Sequence, residues 1–136
     1  MTREEAEHLW NEWTRMWNED PSIALRLAAP RFHLHLALGT VDPQTIDTPE
    51  RVRDWVTQFC ARYERLAFTT GAGPMFDAQL GTIAGPWIAR SRIDGVDRSS
   101  SGIDIVRVVD GKIAEYWTLS REVETPGTWN EMLSQR

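Results

Sequence analysis

The dipeptide Asp110-Gly111 stands between two alternating stretches, residues 102–109 and 112–120, and constrains the fold more than any other feature of the chain. Aspartate and glycine both accept the positive φ angles of a two-residue turn, whose twist matches the twist of paired strands. The pattern predicts an antiparallel hairpin. An uninterrupted register would place Val109 opposite Lys112, Arg107 opposite Ala114 and Val106 opposite Glu115. A lone hairpin is marginal in water, so the rest of the chain must supply further strands or helices to cover it.

It supplies both. Residues 66–70 and 87–93 read as strands, and Gly71-Ala72-Gly73-Pro74 breaks or bulges the first of them. Residues 30–38 alternate Phe32, Leu34, Leu36 and Leu38 with His33, His35 and Ala37, the period of a half-buried strand. Before it, Thr2 and Glu5 have capping-box spacing, and Trp10, Trp13 and Trp17 share one helical face with Leu9 and Met16. Asn18-Glu19-Asp20-Pro21 stops that helix, and Asp20 caps a short second one over residues 22–28. Residues 39–47 form a loop. Thr48-Pro49-Glu50 opens a third helix, whose apolar positions Val52, Trp55, Val56, Phe59, Cys60 and Tyr63 carry it to about Arg65. Residues 76–86 receive no assignment, and a short helix is expected around residues 128–133. Helices followed by a run of antiparallel strands make an α+β domain.

At 136 residues one domain, 1–136, is expected, burying roughly two-thirds of the surface of the unfolded chain. The net charge of −5 and a pI near 5.2 argue against nucleic acid as a partner. No apolar run approaches the ~20 residues of a membrane span, and the charged N-terminus has no signal-peptide core. A soluble, cytoplasmic protein is therefore expected, with no membrane partner. Cys60 has apolar neighbours on its helix and reads as core. Metal-ligand spacing, a phosphate-binding glycine loop and a nucleophile elbow are all missing, so no metal and no cofactor are expected.

The segment from Gly102 to Trp117, GIDIVRVVDGKIAEYW, resembles the terminal hairpin of the SnoaL-like polyketide cyclases of the nuclear-transport-factor-2-like, or ketosteroid isomerase-like, superfamily. The order of elements is similar over nearly the whole chain. The resemblance implies a cone: a strongly curved antiparallel sheet wrapped around the N-terminal helices, with a deep apolar pocket and a homodimer through the outer sheet face. In ketosteroid isomerases the first strand carries a carboxylate base, and His35 falls there. The Ile-Asp pattern of the fourth strand matches Asp104, and Trp13 replaces a tyrosine of the first helix. The aspartate that SnoaL-type cyclases and limonene epoxide hydrolase use on the last strand corresponds to Thr118. Arg92-Ile93-Asp94 resembles the Arg-x-Asp of the epoxide hydrolases, without its partnering carboxylate.

The resemblance thus implies His35 and Asp104 as catalytic residues, paired or coupled where both face the cavity. His35 would take a proton near neutral pH, while Asp104 would orient it or, kept neutral by burial, stabilise an enolate oxygen. The plainer reading is a wet strand face for His33 and His35. Asp104 shares a side with Val106 and Val108, but Ile103, Ile105 and Val109 make the other side apolar too, so alternation leaves its direction open. Trp10, Trp13, Trp17, His33, Trp87, Trp117 and Thr118 are the expected pocket lining, and the indoles favour a small apolar or aromatic ligand. The expected function is binding of a ring-containing carbonyl compound, with cofactor-free isomerisation, cyclisation or dehydration as its chemistry. A non-catalytic binding or interaction module is the alternative, favoured by Thr118 and Trp13. An epoxide hydrolase-like relative is a second, and needs Arg92 and Asp94 turned inward.

Overall fold

The computed structural model describes residues 1–35 and 41–123. Helix α1 spans Arg3–Asn18 and begins with the expected capping box between Thr2 and Glu5. A 3-10 turn at Pro21–Ile23, capped by Asp20, runs into one α-helical turn, α2, at Ala24–Leu27. Strand β1, Ala28–Leu34, follows at once, so the chain turns extended two residues before Pro30. Helix α3, Pro49–Ala61, is capped by Thr48. It stops short of Arg65 because Glu64 and Arg65 are already paired with Arg92. The expected strand residues 36–38 and the helix around 128–133 lie outside the described residues.

Strands β2 (Arg65–Thr69), β3 (Met75–Asp77), β4 (Thr82–Ile93), β5 (Val96–Val109) and β6 (Lys112–Val123) complete a curved, unclosed sheet in the order β1-β6-β5-β4-β2, with β3 beside β4. All pairings are antiparallel except β1 with β6, which makes the sheet mixed. Both long hairpins turn on Asp-Gly. Asp110 and Gly111 have φ of 52° and 76°, and Asp94 and Gly95 repeat the geometry at 50° and 74°. The unassigned segment 76–86 holds β3 and the start of β4. Its Gly85, a strand-breaking residue by type, is needed for packing: a Cβ there would lie 2.9 Å from the ring of Trp10.

The hairpin register departs from the uninterrupted ladder. Val109 faces Lys112 and Val108 faces Ile113, but Arg107 faces Glu115, leaving Ala114 as an extra residue on β6. Tyr116, Thr118 and Ser120 therefore share the concave side with Val106, Asp104 and Gly102. On that side α1 and α3 close a core of Trp10, Trp13, Met16, Val52, Trp55, Val56, Ile83, Val106, Ile113 and Tyr116. None of the described helices is long and apolar enough to cross a membrane.

Candidate functional site

The residues that meet on the concave face converge on Asp104. It is 7% exposed and stands opposite Gly85 on β4 and Thr118 on β6. Three side chains donate to it. The indole of Trp87 reaches Oδ1 at 2.8 Å, the hydroxyl of Tyr116 reaches the same oxygen at 3.0 Å, and the indole of Trp13 reaches Oδ2 at 3.3 Å. One carboxyl thus joins α1, β4, β5 and β6. Burial pushes its pKa above the ordinary aspartate value, against the pull of the neighbouring Thr118 and of these three donors. Burial and the adjacent carboxylate raise the Tyr116 hydroxyl well above its usual range.

The local sequence explains how Trp87 reaches so far. It pairs with Gly102, and a Cβ on that residue would lie 2.7 Å from Trp87 Cε2 and nearer still to Cζ2. The bare backbone lets the indole lie across β5 and meet a carboxyl two residues along it. Trp13 and Trp87 take Asp104 as their acceptor, whereas the buried N–H groups of Trp10, Trp17 and Trp55 have no partner among the described residues.

Two cavities meet at this point. A small inner one, of about 30 Å³, is lined by Trp10, Trp13, Trp17, Trp87, Asp104 and Tyr116, and holds no more than a water or two. The tryptophan face of α1 fills the space where the resemblance implied a deep pocket. A larger cavity of about 420 Å³ opens at the mouth of the cone, between β2, β4, β5 and the end of α3. It is lined by Phe59, Tyr63, Phe68, Trp87 and Ala89, with Ser91, Ser100 and Ser120 along the strands and Arg62, Asp94 and Arg98 among its charged residues. Phe59, Phe68 and Trp87 line both cavities.

Of the residues singled out in the sequence, Trp10, Trp13, Trp17, Trp87, Asp104 and Thr118 come together on the concave side. His33, His35 and Trp117 do not. His33 faces Glu115 across the β1–β6 ladder, on the outer face of the sheet. His35 stacks on Trp117 there, with centroids 4.3 Å apart and rings 6° from parallel, and its Nε2 lies 3.0 Å from Glu115 Oε1. Glu115 also pairs with Arg107. Burial works to raise the Glu115 carboxyl, but Arg107 and His35 overcome it and hold the pKa low. His35 and Asp104 thus lie on opposite sides of the sheet and cannot act as a pair.

The Arg-x-Asp motif is dispersed too. Arg92 pairs with Asp97 at 3.0 Å and Glu64 at 3.4 Å, and Asp94 is an exposed turn residue at positive φ. Neither faces Asp104. Cys60 donates its thiol to the Trp17 carbonyl at 3.5 Å, and burial raises its pKa, which suits a packed thiol. Among the described residues no group of His, Cys, Asp and Glu could hold a metal ion. Sequence reading missed Tyr116, Phe59 and Phe68. Tyr116 could have been found from its shared face with Thr118, whereas Phe59 and Phe68 become wall residues only once β2 is set against the end of α3.

No protein-family model and no curated protein sequence matches the chain. Solved structures do. TsrD from Streptomyces laurentii superposes with a TM-score of 0.72 at 18% identity, over 88% of this chain and 90% of that one. IdmH from Streptomyces antibioticus, described as a candidate polyketide cyclase, gives 0.66 at 20% identity over 96% of each chain. A Catenulispora acidiphila protein with a ketosteroid isomerase-like fold, bound to trimethylamine, gives 0.65 at 14% identity over 82% of this chain and 83% of that one. Likeness at this level of identity establishes the fold, the α+β cone of the nuclear-transport-factor-2-like proteins.

Proposed function

We propose that this cone fold serves here as a small-molecule receptor, taking a compact ring-containing ligand at its open mouth. The observation that carries the reading is the cavity of about 420 Å³ with an aromatic wall, Phe59, Phe68 and Trp87, and a serine-lined sheet floor. A space of that size admits one or two fused rings, and the inner cavity does not. Ring faces and edges on the wall suit a flat ligand, while Ser91, Ser100 and Ser120 offer hydroxyls to its oxygens.

A second reading, cofactor-free acid–base catalysis next to a carbonyl, is favoured by the elevated pKa of Asp104 behind that wall. In this reading Asp104 handles the proton alone, since His35 is on the other side of the sheet. A second copy of the chain is the proposed partner at the outer sheet face. There Pro86, Ile88, Ile103 and Leu119 line an open groove of about 680 Å³, and Leu119 is 70% exposed.

The direct test is to titrate the protein with 2-naphthol and follow backbone amide resonances. Shifts centred on Phe68, Ala89 and Ser100 support the mouth as the receptor site. Shifts centred on Ile103 and Leu119, or none at millimolar probe, would overturn it.

A further inference from the structure

Trp87 lines the mouth cavity, the inner cavity and the outer groove alike, and its N–H is the shortest of the three hydrogen bonds at Asp104. We infer that Trp87 is a built-in surrogate ligand: its indole occupies the place of an incoming ring and its N–H the place of that ring's hydrogen-bond donor. The mouth then selects hydroxylated rings, phenols or enols, over ring compounds that can only accept. The inference rests on the mouth being the ligand site.

The argument is one of hydrogen-bond accounting. Asp104 is surrounded by donors and both its oxygens accept from them, with Tyr116 and Trp87 sharing Oδ1 and Trp13 on Oδ2. A ligand that passes the Phe59–Phe68–Trp87 wall must displace the indole, because the inner cavity is far too small for a ring. Displacement removes the donor at 2.8 Å from a carboxyl that is 7% exposed, and a buried acceptor left short of a partner is costly. A ring O–H restores the bond, whereas an ether or ketone at the same place sets lone pair against lone pair. Arrival of an O–H at Oδ1 also presents the ligand's proton to a buried carboxyl, so selection and proton handling fall on the same atom.

The indole is buried, 6% exposed, and is held by packing. Its ring meets Phe68 edge-on at 5.4 Å and lies over the bare backbone of Gly102, and it borders the mouth cavity into which it would move. Nothing else in the wall donates to Asp104: Phe59 and Phe68 have no polar atom.

The test compares 2-naphthol with 2-methoxynaphthalene, the same ring with and without the donor, by calorimetry. Trp87→Phe keeps an aromatic wall and removes the resident donor. It is expected to bind 2-naphthol about tenfold more tightly than the parent, the worth of one buried hydrogen bond, and to prefer 2-naphthol over 2-methoxynaphthalene by a similar factor. Trp87→Leu provides the same comparison should the phenylalanine variant fold poorly. Adding Asp104→Asn to either variant should erase the preference for the hydroxyl. Equal affinity for the two probes in a Trp87 variant that retains Asp104 would overturn the surrogate role while the mouth reading stood. Failure of every variant to bind either probe would overturn both.

Discussion

The side-chain amide of Asn18 pairs with both backbone groups of Phe68, accepting from its N–H at 2.8 Å and donating to its carbonyl at 2.9 Å. Asn18 is the last residue of α1 and Phe68 is on the terminal strand of the sheet, so one amide stands in for a missing neighbouring strand. It blocks the free edge of β2 and ties α1 to the wall of the mouth. Asn18→Ala should cost about 1 kcal/mol, because both groups are near the surface and water replaces the lost partner. It should also raise the tendency to associate through the opened edge. Urea denaturation and light scattering on the variant check the two effects, and an unchanged midpoint would mean that the pairing contributes nothing.

Gly102 is predicted to be intolerant of any side chain. Gly102→Ala brings a Cβ against the indole of Trp87 and within 2.5 Å of the Leu119 carbonyl oxygen, and backbone cannot step aside. Overpacking of this kind typically costs about 1–3 kcal/mol. Thermal unfolding measures the loss. The Trp87 Nε1 proton resonance should lose the shift that marks its bond to Asp104, and its persistence would count against the packing argument.

The Asp104 carboxyl gives a pH signature. Its pKa is raised in the fold, so its stabilising effect is complete below the unfolded value, about 3.9, and is lost as pH rises through the folded one. Measured relative to Asp104→Asn, which does not titrate, the parent should lose stability progressively from about pH 4 toward neutrality. Denaturant midpoints of the two proteins across that range provide the comparison. A parent that instead gained stability over Asp104→Asn as pH rose would mean that the donors, not burial, dominate the site.

Glu12 should behave in the opposite sense. It lies at the foot of α1, bonded to Arg15 at 2.6 Å and to Arg26, which clips α2 to α1. Burial acts to raise its pKa, and the two guanidinium groups overcome that and lower it. A depressed carboxylate stabilises above its unfolded pKa, about 4.3, and loses that contribution as pH falls through the folded value. Glu12→Gln should therefore cost about 1 kcal/mol at pH 7 and nothing near pH 2, both arginines being at least half exposed. Equal losses at both pH values would assign the effect to packing.

His35→Ala should leave 2-naphthol affinity unchanged within about twofold, since its partners Trp117 and Glu115 are on the outer face. A tenfold loss in calorimetry would place the outer face in contact with the ligand site.

Much of the frame was legible because it is local. Thr2 with Glu5, Thr48 with Pro49 and Asp110 with Gly111 are short-range signals that act before any tertiary contact forms. The Asp94-Gly95 hairpin has the same chemistry, yet the polar run Asp97-Arg98-Ser99-Ser100-Ser101 hid the first half of β5. That half is at the rim of the cone, where neither face needs to be apolar. The site was less legible because it depends on which face of each strand turns inward. His33 and His35 alternate with leucines as faithfully as a pocket face would, and only the ladder to Glu115 reveals them as outer residues. Asp104 had apolar neighbours on both sides of its strand. Its direction follows from pairing with Thr118 and Gly85, both long-range.

The extra residue Ala114 acts as a phase setting for the whole far end of β6. With it, Tyr116, Thr118 and Ser120 look inward, and Glu115, Trp117 and Leu119 look out. Taken into the ladder instead of bulging out, it would pair Val106 with Glu115 and exchange the two sets, sending an anion and a leucine into the cone and stranding the phenol outside. The chemistry at the centre of the cone is chosen by the parity of a count, several residues before the chain reaches it.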